Sequence, residues 1–366
     1  MSETMMPVLD DPLVRDLARL GDHYDAVRAH PADSIERLAE AGLLRRYSPV
    51  ESGGDRFADA AARHHAMFDS LRRIGRGDLS VGRLYEGHVN AMALFDWYAT
   101  AAQKAWLRDV LDRGATFGVW ATEPAPGVAL VDTANGLSLL GAKSFASGAG
   151  GIRYAIVTVQ PEDGDRRLAI VAADDVARTD ASGWRVRGMR ASMSGSYDLT
   201  GYPIDEAALL GQPGDYDREP RFTSGAWRFT AVQLGGIEAL LAETRAALSD
   251  TARADPLARA ALGHAIVATR TAGLWVREAA IRAAREDADA AAFARMTRGV
   301  VERAGLDVME HAARLIGTRS SFEGQRVDKI IRDLGLYLRQ AGPDQVRDTA
   351  IRDWLDHDCW GEDRLW

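Results

Sequence analysis

The chain has 366 residues, of which 46% are hydrophobic and 27% are charged, and its net charge is −8. This composition is typical of a globular protein large enough for two or three domains, and the acidic balance argues against nucleic acid as a partner. The one cysteine, Cys359, excludes an intramolecular disulfide framework and predicts a cytoplasmic location. The first thirty residues alternate charged and apolar positions, so we expect neither a signal peptide nor a membrane span.

Helical periodicity dominates the first third of the chain. Apolar residues of the segment 31–46 recur at helical spacing, and Asp33 with Glu36 is interpreted as a capping pair. The segment 87–114 continues the helical pattern and stops at a glycine. We therefore predict an N-terminal helical domain over residues 1–114.

The pattern then changes to short apolar runs separated by Asp, Gly and Pro, such as LAIVAA and SYDLTGYPI. Such runs predict β-strands, and a middle β domain is expected over residues 115–215. From there on the chain is rich in Ala, Leu and Arg with few helix breakers, which predicts a C-terminal helical bundle over residues 216–366. Helices, a β layer and a helical bundle in this order describe an α+β fold.

The segment 119–149 carries the strongest indication of function. It contains ATEPAPG and GAKSFASGA, apolar runs broken by Gly and Pro that predict short strands. Thr122, Phe145 and Ser147 place small hydroxyls and an aromatic ring at the strand ends, where they could lie against a planar cofactor.

Six segments in sequence order resemble the acyl-CoA dehydrogenase superfamily. They are LAEAGLLRRYSPVESGGD, AAQKAWL, ATEPAPG, GAKSFASGA, GMRASMSGSYDL and DKIIRDLGLYLRQAG. The resemblance implies an N-terminal helical domain, a middle β-barrel-like domain and a C-terminal four-helix bundle. It also implies bound FAD and a homodimer or homotetramer.

The same resemblance implies a flavin site. Backbone groups of Val119, Ala121 and Thr122 would meet the polar edge of the isoalloxazine, Phe145 would pack on the ring, and Ser147 would form a hydrogen bond near N5. The implied contacts to the pyrophosphate and adenine of FAD are Arg253, Arg314, Gly317 and Gln345.

The carboxylate base of an acyl-CoA dehydrogenase has no counterpart at the matching positions. The resemblance puts that base at Ala341, and the family's alternative base at Phe229, and neither residue can take a proton. Glu86 is then a candidate for a relocated base. Asp344 is a second candidate, or else the N-cap of a helix.

The helix that would line the acyl pocket carries polar residues where a fatty-acyl enzyme would be apolar. Arg83 and Glu86 either pair with each other or bind a polar substrate, and Tyr85 and His88 belong to the same predicted pocket. The histidines show no metal-ligand spacing, so no metal site is expected. Three residues that alternate along one predicted strand are interpreted as its polar face: Ser192, Ser194 and Ser196.

Three functions remain open. The first is an FAD-dependent oxidoreductase that oxidises a polar or unusual acyl thioester by hydride transfer to flavin N5 and passes electrons to a flavoprotein or another acceptor. The second is a flavin monooxygenase that activates O₂ on the same fold; such relatives often carry a His soon after the Arg-Asp helix, whereas the next one here is His357. The third is a non-catalytic subunit that keeps the fold.

Overall fold

The computed structural model describes residues 11–340 and 342–355. Its first part is helical. The N-terminal helices are α1 (Pro12–Val27), α2 (Ala32–Glu40), α3 (Leu43–Arg46), α4 (Ala60–Gly77), α5 (Leu79–Tyr98) and α6 (Ala101–Asp112). Helix α5 is buried along most of its length, so the polar side chains it carries point into the interior of the molecule.

The helical pattern predicted over 87–114 is confirmed as two helices, because Thr100 caps α6. The Thr100 hydroxyl accepts the Gln103 N–H at 3.2 Å, and the Gln103 side chain accepts the Thr100 N–H at 2.9 Å, which forms a capping box. The expected Asp33–Glu36 cap is absent, because α2 begins after Pro31 and its first turn already contains Asp33.

The middle part of the chain folds into two sheets. Its strands are β1 (Phe117–Trp120), β2 (Ala129–Thr133), β3 (Gly136–Leu140), β4 (Ala142–Ala146), β5 (Tyr154–Pro161), β6 (Arg167–Ala172), β7 (Thr179–Asp180), β8 (Gly195–Asp198), β9 (Tyr202–Pro203) and β10 (Leu209–Leu210). The larger sheet has the order β10-β6-β5-β2-β3-β9, with β1 also paired to β5, and the smaller sheet has the order β4-β8-β7. Strand β1 packs beside α5 and β4, so these three elements together frame one region.

The last part is again helical. Its helices are α7 (Arg221–Ser224), α8 (Trp227–Ala247), α9 (Asp250–Ala254), α10 (Pro256–Arg285), α11 (Ala290–Ile316), α12 (Arg326–Tyr337) and α13 (Pro343–Leu355). Helix α8 lies at the centre and packs on α4, α5, α10, α11 and α12. It approaches α4 closely because two glycines meet there: a Cβ added to Gly235 would lie 2.1 Å from the Arg72 carbonyl oxygen, and one added to Gly75 would lie 2.3 Å from that of Val232.

This order of helices, sheets and helices confirms the predicted α+β fold. The exact domain limits of 114 and 215 stay predictions. Across residues 11–340 and 342–355, no helix is long and apolar enough to cross a membrane.

Candidate functional site

The two strands predicted to hold a cofactor lie side by side. The Ser144 N–H donates to the Thr122 carbonyl at 2.9 Å, and the Trp120 indole N–H donates to the Ser147 carbonyl at 3.1 Å. These bonds fix the segment that follows β1 against the end of β4. The predicted residues of both segments are thereby brought to one edge of the sheets.

Phe145 stands out from this edge. The register between β4 and β8 shifts between Lys143 and Ala146, where β4 has one residue more than its partner. Such a bulge redirects a side chain. Phe145 has a φ of 51°, in the left-handed region that aromatic residues rarely adopt, and it is 64% exposed. An exposed ring held in this way fits a flat surface packed against it, as a flavin would provide.

Ser147 belongs to a buried chain of hydroxyls. Its Oγ lies 2.8 Å from that of Ser194, which lies 2.9 Å from that of Ser192. The Ser192 hydroxyl donates to the Met189 carbonyl at 2.9 Å. The prediction that Ser192, Ser194 and Ser196 form one strand face is wrong, because only Ser196 lies in β8 and the other two face inward from the turn before it.

A cavity of about 510 Å³ opens beside this edge. Val119, Ala121 and Thr122 line one side of it, and helices α5, α8 and α11 line the others. Val119 and Arg83 also line a small internal space of about 10 Å³ that Ser147 shares. The predicted flavin strands and the predicted substrate helix therefore meet at one cavity.

The lining of this cavity is strongly basic. Within the described residues, its charged side chains are Arg83, Arg221, Arg228, Arg295, Arg298 and Glu86. Five guanidinium groups and one carboxylate make the space suited to anions or to polar molecules, and unsuited to a long apolar chain.

A hydrogen-bonded chain crosses the cavity wall from α5 to α8. Arg83 Nη1 donates to Glu86 Oε2 at 2.5 Å, and the Asn90 amide donates to the other oxygen of Glu86. The Asn90 carbonyl oxygen in turn accepts from Arg228 Nε. The uncharged Asn90 thus connects the Glu86 carboxylate to the Arg228 guanidinium.

Burial affects the two arginines of this chain differently. Burial by itself lowers the pKa of Arg83, but the neighbouring Glu86 carboxylate outweighs it, so the pKa of Arg83 is raised above its usual value. Burial lowers the pKa of Arg228 to about 10, and the Glu86 carboxylate beyond Asn90 offsets this only in part, since the Arg63 charge also lowers it. Arg228 therefore carries a charge that its surroundings compensate poorly.

Two other arginines of the lining are paired with carboxylates behind it. Arg221 Nε lies 2.8 Å from Glu286, and the Arg221 guanidinium also covers the Trp97 ring. Arg295 Nη1 lies 2.7 Å from Asp353. These pairs join α7 to the end of α10 and α11 to α13.

Phe229 faces the same cavity. The Arg298 guanidinium lies 5.3 Å from the centre of the Phe229 ring and donates to the Gln340 carbonyl at 3.1 Å. The position that the resemblance matched to an alternative base therefore contributes an aromatic wall. It offers no group that takes a proton.

Tyr85 and His88 lie on the opposite side of α5 from the cavity. The Tyr85 hydroxyl donates to the Leu43 carbonyl at 3.1 Å. His88 Nε2 donates to the Leu44 carbonyl at 2.6 Å, and its Nδ1 accepts the Phe117 N–H at 3.2 Å. Burial lowers the pKa of His88 to about 4, so the ring is neutral. Both residues hold α5 to its neighbours and are not brought to the cavity, contrary to the predicted substrate pocket.

The predicted distal FAD residues lie on the surface of the single chain. Arg253 donates to two carbonyls at the end of α8, at 2.8 and 3.1 Å. Arg314 is 73% exposed and pairs with Glu310 one turn earlier. Gly317 and Gln345 are exposed. The structure does not bring these four residues together.

Asp344 does not reach the cavity. Its side chain is 96% exposed in the first turn of α13 and lies 3.6 Å from Arg347. The other residues weighed near this end of the chain, Ala341, His357 and Cys359, lie outside the described residues. Of the two predicted catalytic carboxylates, the structure therefore places Glu86, and not Asp344, at the cavity.

Sequence reasoning missed Asn90 and four of the arginines that give the cavity its charge, namely Arg221, Arg228, Arg295 and Arg298. Arg228 directly precedes Phe229, and Arg295 and Arg298 are three residues apart on one helical face. That spacing was a usable signal. No pattern along the chain indicated that these helices face each other. In the described part of the chain, no group of three or more His, Cys, Asp or Glu is placed to hold a metal ion.

Comparison with known proteins agrees with this fold. Residues 219–355 match the family of the acyl-CoA dehydrogenase C-terminal domain. A comparison with curated protein sequences gives no match. The fold is therefore acyl-CoA dehydrogenase-like, and the helices of its last part match the C-terminal domain of that family. This confirms the resemblance found in the sequence.

Solved structures share this fold over nearly the whole chain. The dibenzothiophene monooxygenase TdsC from Paenibacillus sp. A11-2, solved with FMN and indole, has a TM-score of 0.80 at 20% identity over 95% of this chain and 96% of its own. The methanesulfinate monooxygenase MsuC from Pseudomonas fluorescens has 0.80 at 20% identity over 96% and 97%. A nitrososynthase from Micromonospora carbonacea var. africana has 0.77 at 18% identity over 98% of both chains.

Proposed function

We propose that the protein is a flavin-dependent monooxygenase acting on a small polar molecule. The observation that carries this proposal is Phe229, which lines the cavity where an acyl-CoA dehydrogenase of the alternative type would need its base. A positioned base contributes about 10²–10⁴ in rate, so removal of an α-proton would lack a main contribution here. Oxygen insertion requires no such base.

The similar structures support the same choice. TdsC and MsuC are monooxygenases by name, and two structures of TdsC contain FMN. When bound, reduced flavin would supply two electrons to O₂, so that one oxygen atom enters the substrate and the other leaves as water. The residues of this chain would hold the flavin, shield the reacting atoms and bind the substrate.

Each part of the site has a role in this proposal. The backbone from Val119 to Thr122 would meet the polar edge of the flavin ring, Phe145 would pack on the ring, and Ser147 would form a hydrogen bond to it. Phe229 would close the far side of the cavity against water. Glu86 would remain a carboxylate paired with Arg83 and would keep the α5 wall in place.

The flavin is proposed to bind mainly through its ring end. Of the two residues that would reach the pyrophosphate of FAD, Arg253 is bonded to the end of α8 and Arg314 to its own helix in the single chain. Parallel reconstitution with FMN and FAD, followed by visible spectroscopy, determines which of the two is the cofactor. A protein that stays colourless with both would support a non-catalytic subunit.

The reaction is tested with the yellow holoprotein under anaerobic conditions. We expect no bleaching with a panel of acyl-CoA esters, reduction by dithionite or by a flavin reductase, and rapid reoxidation when O₂ is admitted. A second candidate, the acyl thioester dehydrogenase, is favoured by one observation, the carboxylate of Glu86 at the cavity wall. Bleaching by an acyl-CoA ester that is lost in Glu86→Gln would establish that candidate instead.

A further inference from the structure

The positive charges of the 510 Å³ cavity are not all compensated by the protein. Arg83 is paired with Glu86, and Arg221 and Arg295 are paired with carboxylates behind the lining. Arg228 differs from these three. Within residues 11–340 and 342–355, no acceptor lies in hydrogen-bond contact with its Nη1 or Nη2.

Arg228 is also one of the most deeply placed cations of the chain. It is 8% exposed, and its one hydrogen bond runs from Nε to the Asn90 amide oxygen. Its Nη2 lies beside Gly225, where an added Cβ would be 2.4 Å away, so the glycine leaves room for the guanidinium. A charge taken out of water is costly unless a counter-charge meets it. The outer face of Arg228 thus lacks an anion.

A second guanidinium lines the same cavity from another helix. Arg298 on α11 is half-buried, covers the Phe229 ring and lies in a wall that it shares with Arg295. Burial and the charge of Arg295 lower the pKa of Arg298. A ligand between α8 and α11 would therefore be exposed to positive charge from two sides.

The position of this charge indicates what kind of ligand it serves. Arg228 and Arg298 line the same cavity as Val119, Ala121 and Thr122, the edge where the flavin ring is proposed. A molecule held by Arg228 would share one enclosed space with that edge. It would then be the substrate and not a ligand of a remote site.

We propose that the substrate is a small organic oxyanion, a carboxylate or a sulfur oxyanion, held by the Nη1 and Nη2 groups of Arg228 and attracted by Arg298. This inference rests on the proposed monooxygenase function, since it assigns a substrate class to that site. A guanidinium fork matches the two oxygens of such an anion, and the pair is stronger than a hydrogen bond between neutral groups. The anion supplies the counter-charge that Arg228 lacks.

The test compares charged and neutral molecules of the same shape. Calorimetry on the flavin-loaded protein, at neutral pH and low chloride, measures the binding of benzoate against benzamide and of methanesulfonate against dimethyl sulfone. We expect at least one anion to bind about tenfold or more tightly than its neutral counterpart. Equal binding of anion and neutral molecule in both pairs would overturn the proposal.

Three variants assign the effect to Arg228. Arg228→Gln should lower the anion affinity about 10- to 100-fold and leave that of the neutral molecule unchanged, while Arg228→Lys should keep part of the preference. Arg303→Gln, an exposed arginine of α11 paired with Asp307, is the matched control and should change nothing. If Arg228→Gln does not fold, Arg298→Gln replaces it, with an expected loss of a few-fold in anion affinity. Retention of the full anion preference in the folded Arg228 or Arg298 variant would contradict the inference.

Two further results separate this inference from others. Lower affinity of Arg228→Gln for FMN, with an unchanged preference for anions, would assign Arg228 to the flavin phosphate and overturn the proposal. Because calorimetry requires no turnover, anion binding without any oxygen insertion would remove only the proposed function. Oxygen insertion into a neutral substrate, without anion binding, would remove only this inference.

Discussion

The hydroxyl oxygens of Ser147 and Ser194 lie 2.8 Å apart at the inner end of the chain that closes on the Met189 carbonyl. Each hydroxyl has a single hydrogen. Since the hydrogen of Ser192 goes to that carbonyl, Ser194 donates to Ser192, and Ser147 donates to Ser194. The Ser147 oxygen is therefore left as a hydrogen-bond acceptor.

The first prediction concerns this polarity. If Ser147 faces flavin N5, an acceptor favours the reduced ring, which carries a hydrogen there. Ser194→Ala frees the Ser147 hydrogen, so the preference for reduced over oxidised FMN should fall about 2- to 10-fold. A redox titration of the bound flavin measures this change. Ser196→Ala, in the adjacent strand, should leave the redox potential of the bound flavin unchanged. An equal shift in both variants would argue against the assigned direction of the hydroxyl hydrogen bonds.

The second prediction concerns Glu86. Glu86→Gln keeps an acceptor for Asn90 but leaves the Arg83 charge unpaired, so the free energy of unfolding should fall by about 1–3 kcal/mol. Reoxidation of the reduced flavin by O₂ should stay within about tenfold of the wild type, because a base contributes about 10²–10⁴ only where it moves a proton. Stopped-flow absorbance follows the reoxidation. Asp307→Asn is the matched surface control, and a loss of more than a hundredfold confined to Glu86→Gln would identify it as a base.

The third prediction tests the close contact of α4 and α8. Gly235→Ala places a methyl group 2.1 Å from the backbone oxygen of Arg72, which cannot move aside without separating the helices. We expect a loss of about 1–3 kcal/mol in unfolding free energy, measured by urea denaturation. Gly263→Ala in α10 meets nothing within 4 Å and should stabilise the protein by about 0.5–1 kcal/mol. Similar effects at both positions would mean that the helices are not packed at this distance.

The fourth prediction is a dependence of stability on pH. Burial lowers the pKa of His30, His64 and His88 to about 4, whereas the unfolded chain binds these protons near the usual histidine value. Between about pH 6.5 and 4 the unfolded state therefore holds more protons, and stability falls as the pH is lowered through this range. Each histidine contributes up to about 3 kcal/mol to the loss.

His88→Gln tests one of these contributions. Glutamine can still donate to the Leu44 carbonyl and accept the Phe117 N–H, but it does not titrate. Unfolding free energies measured at pH 7, 6 and 5 should then depend less steeply on pH than those of the wild type. His65→Gln, on the surface beside Asp69, should keep the slope of the wild type. An unchanged slope in His88→Gln would show that this ring does not stay neutral in the folded state.

The sequence was sufficient for the order of helices and strands, because apolar periodicity is a local property and the two flavin-strand segments are short and continuous. Arg228 and Asn90 are 138 positions apart, and no local pattern brings them together. Tyr85 and His88 were predicted to be pocket residues because the resemblance places their helix along the acyl pocket. Both side chains point away from the cavity because they form hydrogen bonds to the backbone carbonyls of Leu43 and Leu44. These carbonyls come close to α5 only in the folded chain.

The cap at Thr100 was within reach of sequence reasoning. Its Thr-Ala-Ala-Gln pattern is a capping box, but the continuous helical periodicity on both sides concealed it. The charge of the cavity, in contrast, could not be predicted from a local sequence pattern. It depends on which arginines keep a carboxylate nearby after folding, and this is settled by contacts between α5, α8 and α11.

The extra residue in β4 has a consequence for how this chain tolerates change. In an unbroken strand, Phe145 would share a face with the fully buried Lys143, two positions earlier. The ring points outward because the bulge between Lys143 and Ala146 breaks this alternation at the full length of the strand. One irregular position in a single strand thus decides whether this scaffold displays an aromatic ring or buries it.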